Sequence, residues 1–142
     1  MHTVSQELIQ QLKGVPLFAR LGSGELEGLV KTAKRQTFRA GETIVREGEE
    51  GVAFYLILNG QVEVRRGGTT LARLGAGQFF GEMALLTNFP RSADVVALED
   101  TECLLLTRWD LRALIQTHPD VALKLLEELA RRLRDTDRAL SE

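Results

Sequence analysis

The chain has 142 residues, of which 44% are hydrophobic, 27% charged and only three proline, a composition that fits one domain with a buried core. Eighteen Lys and Arg against 20 Asp and Glu leave a net charge of −2, without the basic excess expected of a free-standing nucleic-acid binder. No apolar run reaches the ~18 residues of a membrane span, the first residues show no secretory signal, and one cysteine, Cys103, excludes an internal disulfide or a Cys-rich metal site. The expected address is the cytoplasm.

Ser5 to Leu12 carries Leu8, Ile9 and Leu12 at helical spacing and ends before Gly14. Ser23 is placed to cap a second short helix with Leu26, Leu29, Val30 and Ala33 on one face. From Phe38 the period changes. Thr43–Val45, Ala53–Leu58, Gln61–Arg66 and Thr69–Leu74 read as short strands separated by glycine-bearing turns. Asn59-Gly60 and Gly67-Gly68 both carry the two-residue hairpin signal, and Val62 and Val64 alternate with polar neighbours to give one inward face. Ala93–Leu98 and Thr101–Leu106 supply two more strands, joined through Glu99-Asp100.

All 13 glycines lie at or before Gly81, so a turn-rich first part gives way to helix. Thr107 to Asp110 has capping-box spacing and opens a helix to about Thr117; Pro119, with His118 or Thr117 as cap, opens another that runs unbroken from Asp120 to about Leu140. Short strands without intervening long helices predict an antiparallel β-roll, jelly-roll-like, with short N-terminal helices and a long C-terminal one. The expected layout is one domain, 1–142, with helices in 1–35, the roll in 36–106 and helices in 107–140.

The chemistry concentrates between 79 and 95. Gly81 allows a sharp turn and close approach of backbone to a ligand. Glu82 to Leu86 is short and helix-prone, so its first N–H groups form an anion site. Pro90 fixes the approach to Arg91, whose planar guanidinium can hold two phosphate oxygens, and Ser92 adds a hydroxyl. A carboxylate at Glu82 would repel phosphate but can accept from a sugar hydroxyl pair beside it. Phosphate and ribose together point to a nucleotide.

Here Phe80-Gly81-Glu82-Met83-Ala84-Leu85 and Pro90-Arg91-Ser92-Ala93 resemble the phosphate-binding cassette of the cyclic nucleotide-binding domains, including the nine-residue step from Glu to Arg. The chain is most similar to the sensor half of catabolite activator-like regulators, and the resemblance spans nearly its whole length. It implies that Glu82 binds the ribose 2′-hydroxyl, Arg91 and Ser92 the cyclic phosphate, and Gly81 and Ala84 supply backbone N–H groups. Phe80, Met83 and Ala93 complete the cassette, and Val64 and Leu71 offer apolar surface to the base. The run Arg131-Arg132-Leu133-Arg134-Asp135-Thr136-Asp137 resembles the stretch that meets adenine in the activators, implying contacts from Leu133 and Thr136 and a preference for cAMP over cGMP. Asp137 stands where the family has a second hydroxyl.

The alternatives are a module that keeps the fold but binds nothing, which would be expected to lack the Glu or the Arg, and a haem sensor ligated by His2. A metal enzyme of the cupin type would need several strand histidines, and His2 and His118 are not so placed. No catalytic triad or carboxylate pair is discernible, and neither enzyme activity nor a bound metal is expected.

In the last helix Ala122, Leu126, Leu129, Leu133, Thr136 and Leu140 form a heptad seam, with Val121, Leu123 and Leu125 broadening it onto the roll. Twenty-one residues at ~1.5 Å each give about 31 Å, longer than a small roll. The resemblance implies a parallel homodimer along helix 120–140. DNA binding by this chain alone is not expected.

Overall fold

A computed structural model of the protein describes residues 4–82, 87 and 90–141, and the side chains of 6–82, 87 and 90–135. Helix α1 (Val4–Lys13), a single 3₁₀ turn at Pro16–Phe18 and helix α2 (Ser23–Thr32) precede eight strands. These are β1 (Lys34–Phe38), β2 (Thr43–Val45), β3 (Ala53–Asn59), β4 (Gln61–Arg66), β5 (Thr69–Gly75), β6 (Phe79–Phe80), β7 (Asp94–Ala97) and β8 (Thr101–Thr107). Helices α3 (Arg108–Thr117) and α4 (Pro119–Ser141) follow.

The strands form two antiparallel four-stranded sheets, ordered β1-β8-β3-β6 and β2-β7-β4-β5. The expected mainly-β roll with flanking helices is the observed fold. The inner strands of the first sheet, β3 and β8, are buried on both faces, which is why β3 reads as a continuous apolar run. Phe54, Leu56 and Leu58 of β3 and Leu104 and Leu106 of β8 pack against α1, α2, α3 and the start of α4. The alternate residues, Ile57 and Cys103, meet Val62, Leu74, Phe80, Val95 and Ala97 between the sheets. Each buried Val, Leu, Ile or Phe among them, moved out of water, contributes about 1.5–3 kcal/mol.

The two turn signals have different outcomes. Gly67 and Gly68 both take positive φ (56° and 82°) and close the β4–β5 hairpin, with Arg66 paired to Thr69. Asn59-Gly60 is not a hairpin: β3 and β4 belong to different sheets, and the pair turns the corner between them. A β-carbon on Gly60 would stand 2.5 Å from the Thr101 hydroxyl oxygen and 2.7 Å from the Asp100 carbonyl oxygen. Gly60 therefore lets this corner lie against the one between β7 and β8, where the Thr101 hydroxyl donates to Glu99 O at 2.8 Å and stands 3.1 Å from Gln61 O.

At the helix starts, Thr107 caps α3 as expected, its hydroxyl accepting from Asp110 N at 3.1 Å. Ser23 does not cap α2. Gly22 holds that place in extended backbone, its carbonyl accepting the first helical bond from Leu26 N, and Ser23 is the first helical residue.

Helix α4 presents two apolar stripes rather than one broad seam. Val121 and Leu125 are buried against the helical layer and Leu129 packs beside them. Leu123, Leu126 and Leu133 face outward, 56%, 61% and 64% exposed. Leu123 thus does not pack onto the roll: at 100° per residue it lies on the side opposite Val121 and Leu125. The side chain of Thr136 lies outside the described residues; its backbone is helical.

Candidate functional site

A cavity of about 820 Å³, within the size range of small-molecule sites, opens between the second sheet and α4. Its walls come from Val64 and Arg66 of β4, Thr70 to Leu74 of β5, Phe80 to Glu82, Arg91 to Ala93 and Val95, and from Glu128, Arg131, Arg132 and Asp135 of α4. Antiparallel pairing assembles it: Val64 stands opposite both Ala72 and Val95.

Arg91 occupies one end. Only 9% of it is exposed, yet its guanidinium meets two carbonyls: Nη2 donates to Ala53 O at 3.0 Å and Nη1 to Gly81 O at 3.3 Å. Among the described residues no carboxylate comes within ion-pair distance of it. Burial accordingly lowers its pKa, an effect that the nearby Tyr55 and Glu82 oppose. A buried cation partnered mainly by neutral oxygens is stabilised by any anion that reaches it.

Two glycines make room for this side chain. A β-carbon on Gly51 would stand 2.6 Å from Arg91 Nη2. Gly81, at φ 84°, would place one 2.9 Å from Ala53 O and 3.1 Å from Arg91 Nη1. At Gly51 an added side chain would press on the Arg91 guanidinium, whereas at Gly81 it would meet backbone and would also require the left-handed conformation. The Arg91 backbone is tied down as well: its N–H donates to Glu49 O, and its carbonyl accepts from Gly48 N, each at 2.8 Å.

Glu82 lies on the same wall, mostly buried, with Oε1 3.6 Å from Arg132 Nη1 of α4. Arg132 also donates to Phe79 O at 2.6 Å and to Glu128 Oε1 at 3.1 Å, and its guanidinium sits 4.6 Å from the centre of the Phe79 ring. The long helix is thereby bound to the strand leading into the cassette. Beneath it the Phe80 ring stacks on Tyr55, centres 4.7 Å apart and planes 7° from parallel.

Of the residues singled out from sequence, Val64, Leu71, Phe80, Gly81, Glu82, Arg91, Ser92 and Ala93 all line this cavity. Met83 and Ala84 lie outside the described residues, as does the side chain of Thr136. Leu133 does not reach the cavity: one residue beyond Arg132, it is turned by about 100° toward solvent. Sequence reasoning missed Arg66 and Glu128 as lining residues, and named Arg131, Arg132 and Asp135 only as part of the run that resembles the adenine-meeting stretch. For the helical four the signal was the i, i+3, i+4, i+7 spacing of 128, 131, 132 and 135, which marks a single face.

His2 lies outside the described residues, and His118 sits between α3 and α4, its Nε2 3.4 Å from Glu25 Oε1. Among the described residues no cluster of His, Cys, Asp or Glu could hold a metal ion, and no helix is long and apolar enough to cross a membrane.

A β-roll whose cavity ends on a desolvated arginine, with a carboxylate on the same wall, belongs to the class of folds that enclose a small-molecule pocket. Residues 35–118 match the sequence model of the cyclic nucleotide-binding domain, and the chain belongs to that family. It is 45% identical over 131 residues to the cyclic AMP receptor protein of Thermus thermophilus, covering 89% of this chain and 61% of that protein. It is 37% identical over 95 residues to a cAMP-dependent protein kinase regulatory subunit of Mycosarcoma maydis, 64% of this chain and 18% of the relative. Among solved structures, the Thermus thermophilus catabolite activator protein superposes with a TM-score of 0.76 at 44% identity, over 89% of this chain and 62% of that one. The chain therefore spans about three fifths of the bacterial relative's length.

Proposed function

We propose that this domain binds a 3′,5′-cyclic nucleotide, cAMP in preference to cGMP, as a cytoplasmic regulatory sensor. The observation that carries the reading is Arg91, buried at the end of the cavity with carbonyl partners and, among the described residues, no carboxylate in ion-pair distance. In this reading Arg91 and Ser92 hold the cyclic phosphate, with backbone N–H groups from the cassette, while Glu82 accepts from the ribose 2′-hydroxyl. Val64 and Leu71 give the base an apolar surface. The relatives named for cyclic AMP support the choice of ligand.

Base preference is assigned to α4. Thr136 and the carboxylate of Asp137 favour the N6 amine of adenine, since a carboxylate accepts from that amine and repels the O6 of guanine. Thr136→Val should narrow the cAMP-to-cGMP affinity ratio without abolishing binding of either. The outward stripe of Leu126 and Leu133 is assigned to a homodimer through helix 120–140, so that ligand state passes to a partner or output domain; direct contact with DNA by this chain is not part of the reading. Calorimetry with cAMP, cGMP and 5′-AMP tests the ligand class. Millimolar cyclic nucleotide without heat above background overturns it, and 5′-AMP binding as tightly as cAMP argues against a cyclic-phosphate site.

A further inference from the structure

We propose that Arg66 is a second guanidinium at the anion end of the cavity, contacting the ligand's phosphate beside Arg91. The proposal rests on the cyclic-nucleotide reading above and adds to it a residue outside the cassette. Pairing of β4 with β7 runs Val64 to Val95 and Arg65 to Asp94, so the next step brings Arg66 to the Ser92–Ala93 end of the cassette. There its Nε donates to Ser92 O at 2.9 Å, which fixes the guanidinium against the Ser92–Ala93 peptide.

Apart from Arg91, the cavity's other arginines are held by carboxylates. Arg73 pairs with Glu63 at 3.1 Å, Arg131 pairs with Glu128, and Arg132 pairs with Glu128 and Glu82. Arg66 differs. Its one carboxylate neighbour among the described residues, Glu47, stands at 4.0 Å with both side chains about half exposed, and its terminal nitrogens make no hydrogen bond among the described residues. With Nε committed to Ser92, both Nη groups remain as donors. A cyclic phosphate carries two exocyclic oxygens. Arg91, two of whose N–H groups already serve carbonyls, takes one, and Arg66 takes the other.

The test is calorimetry on the whole chain with cAMP and with the two phosphorothioate diastereomers of cAMP, each of which replaces one exocyclic oxygen by sulfur. The parent, Arg66→Gln and Arg66→Lys are compared at low and high salt. Arg66→Gln should weaken cAMP about fivefold at low salt, and the difference should shrink at high salt, as for a half-exposed charge. The ratio between the two diastereomers should change by about threefold or more, because sulfur is the poorer acceptor for one arginine but not the other. Arg66→Lys should recover most of the lost affinity.

An affinity, salt dependence and diastereomer ratio all within about twofold of the parent overturn the proposal. So does an equal loss for both diastereomers, which would leave Arg66 only the task of holding the Ser92 carbonyl. A parent that binds none of the three ligands defeats the cyclic-nucleotide reading and this inference with it; a binding parent with an indifferent Arg66→Gln defeats this inference alone.

Discussion

At the scale of single residues, Arg91 is a buried cation whose desolvation is costly, and its removal should matter most. Arg91→Leu should weaken cyclic nucleotide binding by about 2–5 kcal/mol, the range for deleting one member of a desolvated charged contact, measurable by calorimetry. Glu82→Gln should cost less and act selectively: 2′-deoxy-cAMP should lose little further affinity, and equal losses for cAMP and its 2′-deoxy form would exclude the ribose role. The glycines around Arg91 separate geometry from folding. Gly51→Ala pushes on the movable end of Arg91, so affinity should fall while thermal stability changes little. Gly81→Ala meets the Ala53 carbonyl and requires φ 84° of a residue with a side chain, so its Tm should fall too, by the equivalent of about 1–2 kcal/mol or more. A Gly51→Ala variant binding like the parent would mean the guanidinium need not stay where it is. Gly81, Glu82 and Arg91 were legible because the cassette is contiguous in sequence. Gly51 was not, since its need for a bare α-carbon comes from a side chain 40 residues away.

At the scale of elements, α4 divides its apolar residues between an inward and an outward stripe. Leu129 packs on its own domain, so Leu129→Ala should lower stability by about 1–2 kcal/mol, a partial version of a buried-leucine truncation, visible in a denaturation midpoint. Leu126→Glu with Leu133→Glu should leave that midpoint nearly unchanged while converting dimer to monomer in sedimentation. A parent that sediments as a monomer at high micromolar concentration, with and without nucleotide, removes the seam assignment. The sequence reading placed Leu129 and Leu126 in one seam because heptad spacing records only which residues share a broad face. Which edge of that face meets the roll depends on where β3 and β8 put Leu56 and Leu104. The same limit applies to turns. Asn59-Gly60 and Gly67-Gly68 look alike locally, but only the second joins strands of one sheet; the first is decided by Thr101, which lies far along the chain.

At the scale of the whole molecule, the second sheet carries a charge network with a pH signature. Glu63 is nearly inaccessible and accepts from Arg65 Nε at 2.7 Å, Thr70 Oγ1 at 2.9 Å and Arg73 Nε at 3.1 Å. The Arg65 bond, then the Thr70 bond, hold its carboxyl below the ordinary 4.5. A depressed folded-state pKa stabilises the fold above the unfolded value, and that contribution disappears as pH falls through the folded one. Urea midpoints should therefore decline as pH drops below about 4.5, and Glu63→Gln should flatten the decline. An identical slope in the variant would assign acid sensitivity to other carboxylates, among them Glu25, whose pKa is also lowered, first by its own backbone N–H and then by His118.

Strand β8 sits inside the first sheet, with β1 on one side and β3 on the other, and Cys103 stands opposite Gln36 in one and Ile57 in the other. Burial pushes its thiol up to about 12, so at neutral pH it is both sheltered and protonated. An alkylating reagent can reach it only when the sheet opens, which makes the rate of irreversible trapping a clock for the open population. Whatever binds the closed form slows that clock by the factor 1 + [L]/Kd. The sole cysteine thus turns the protein into its own ligand assay: cyclic nucleotides should lengthen the trapping half-life in order of affinity, and Arg91→Leu should need far more ligand for the same lengthening.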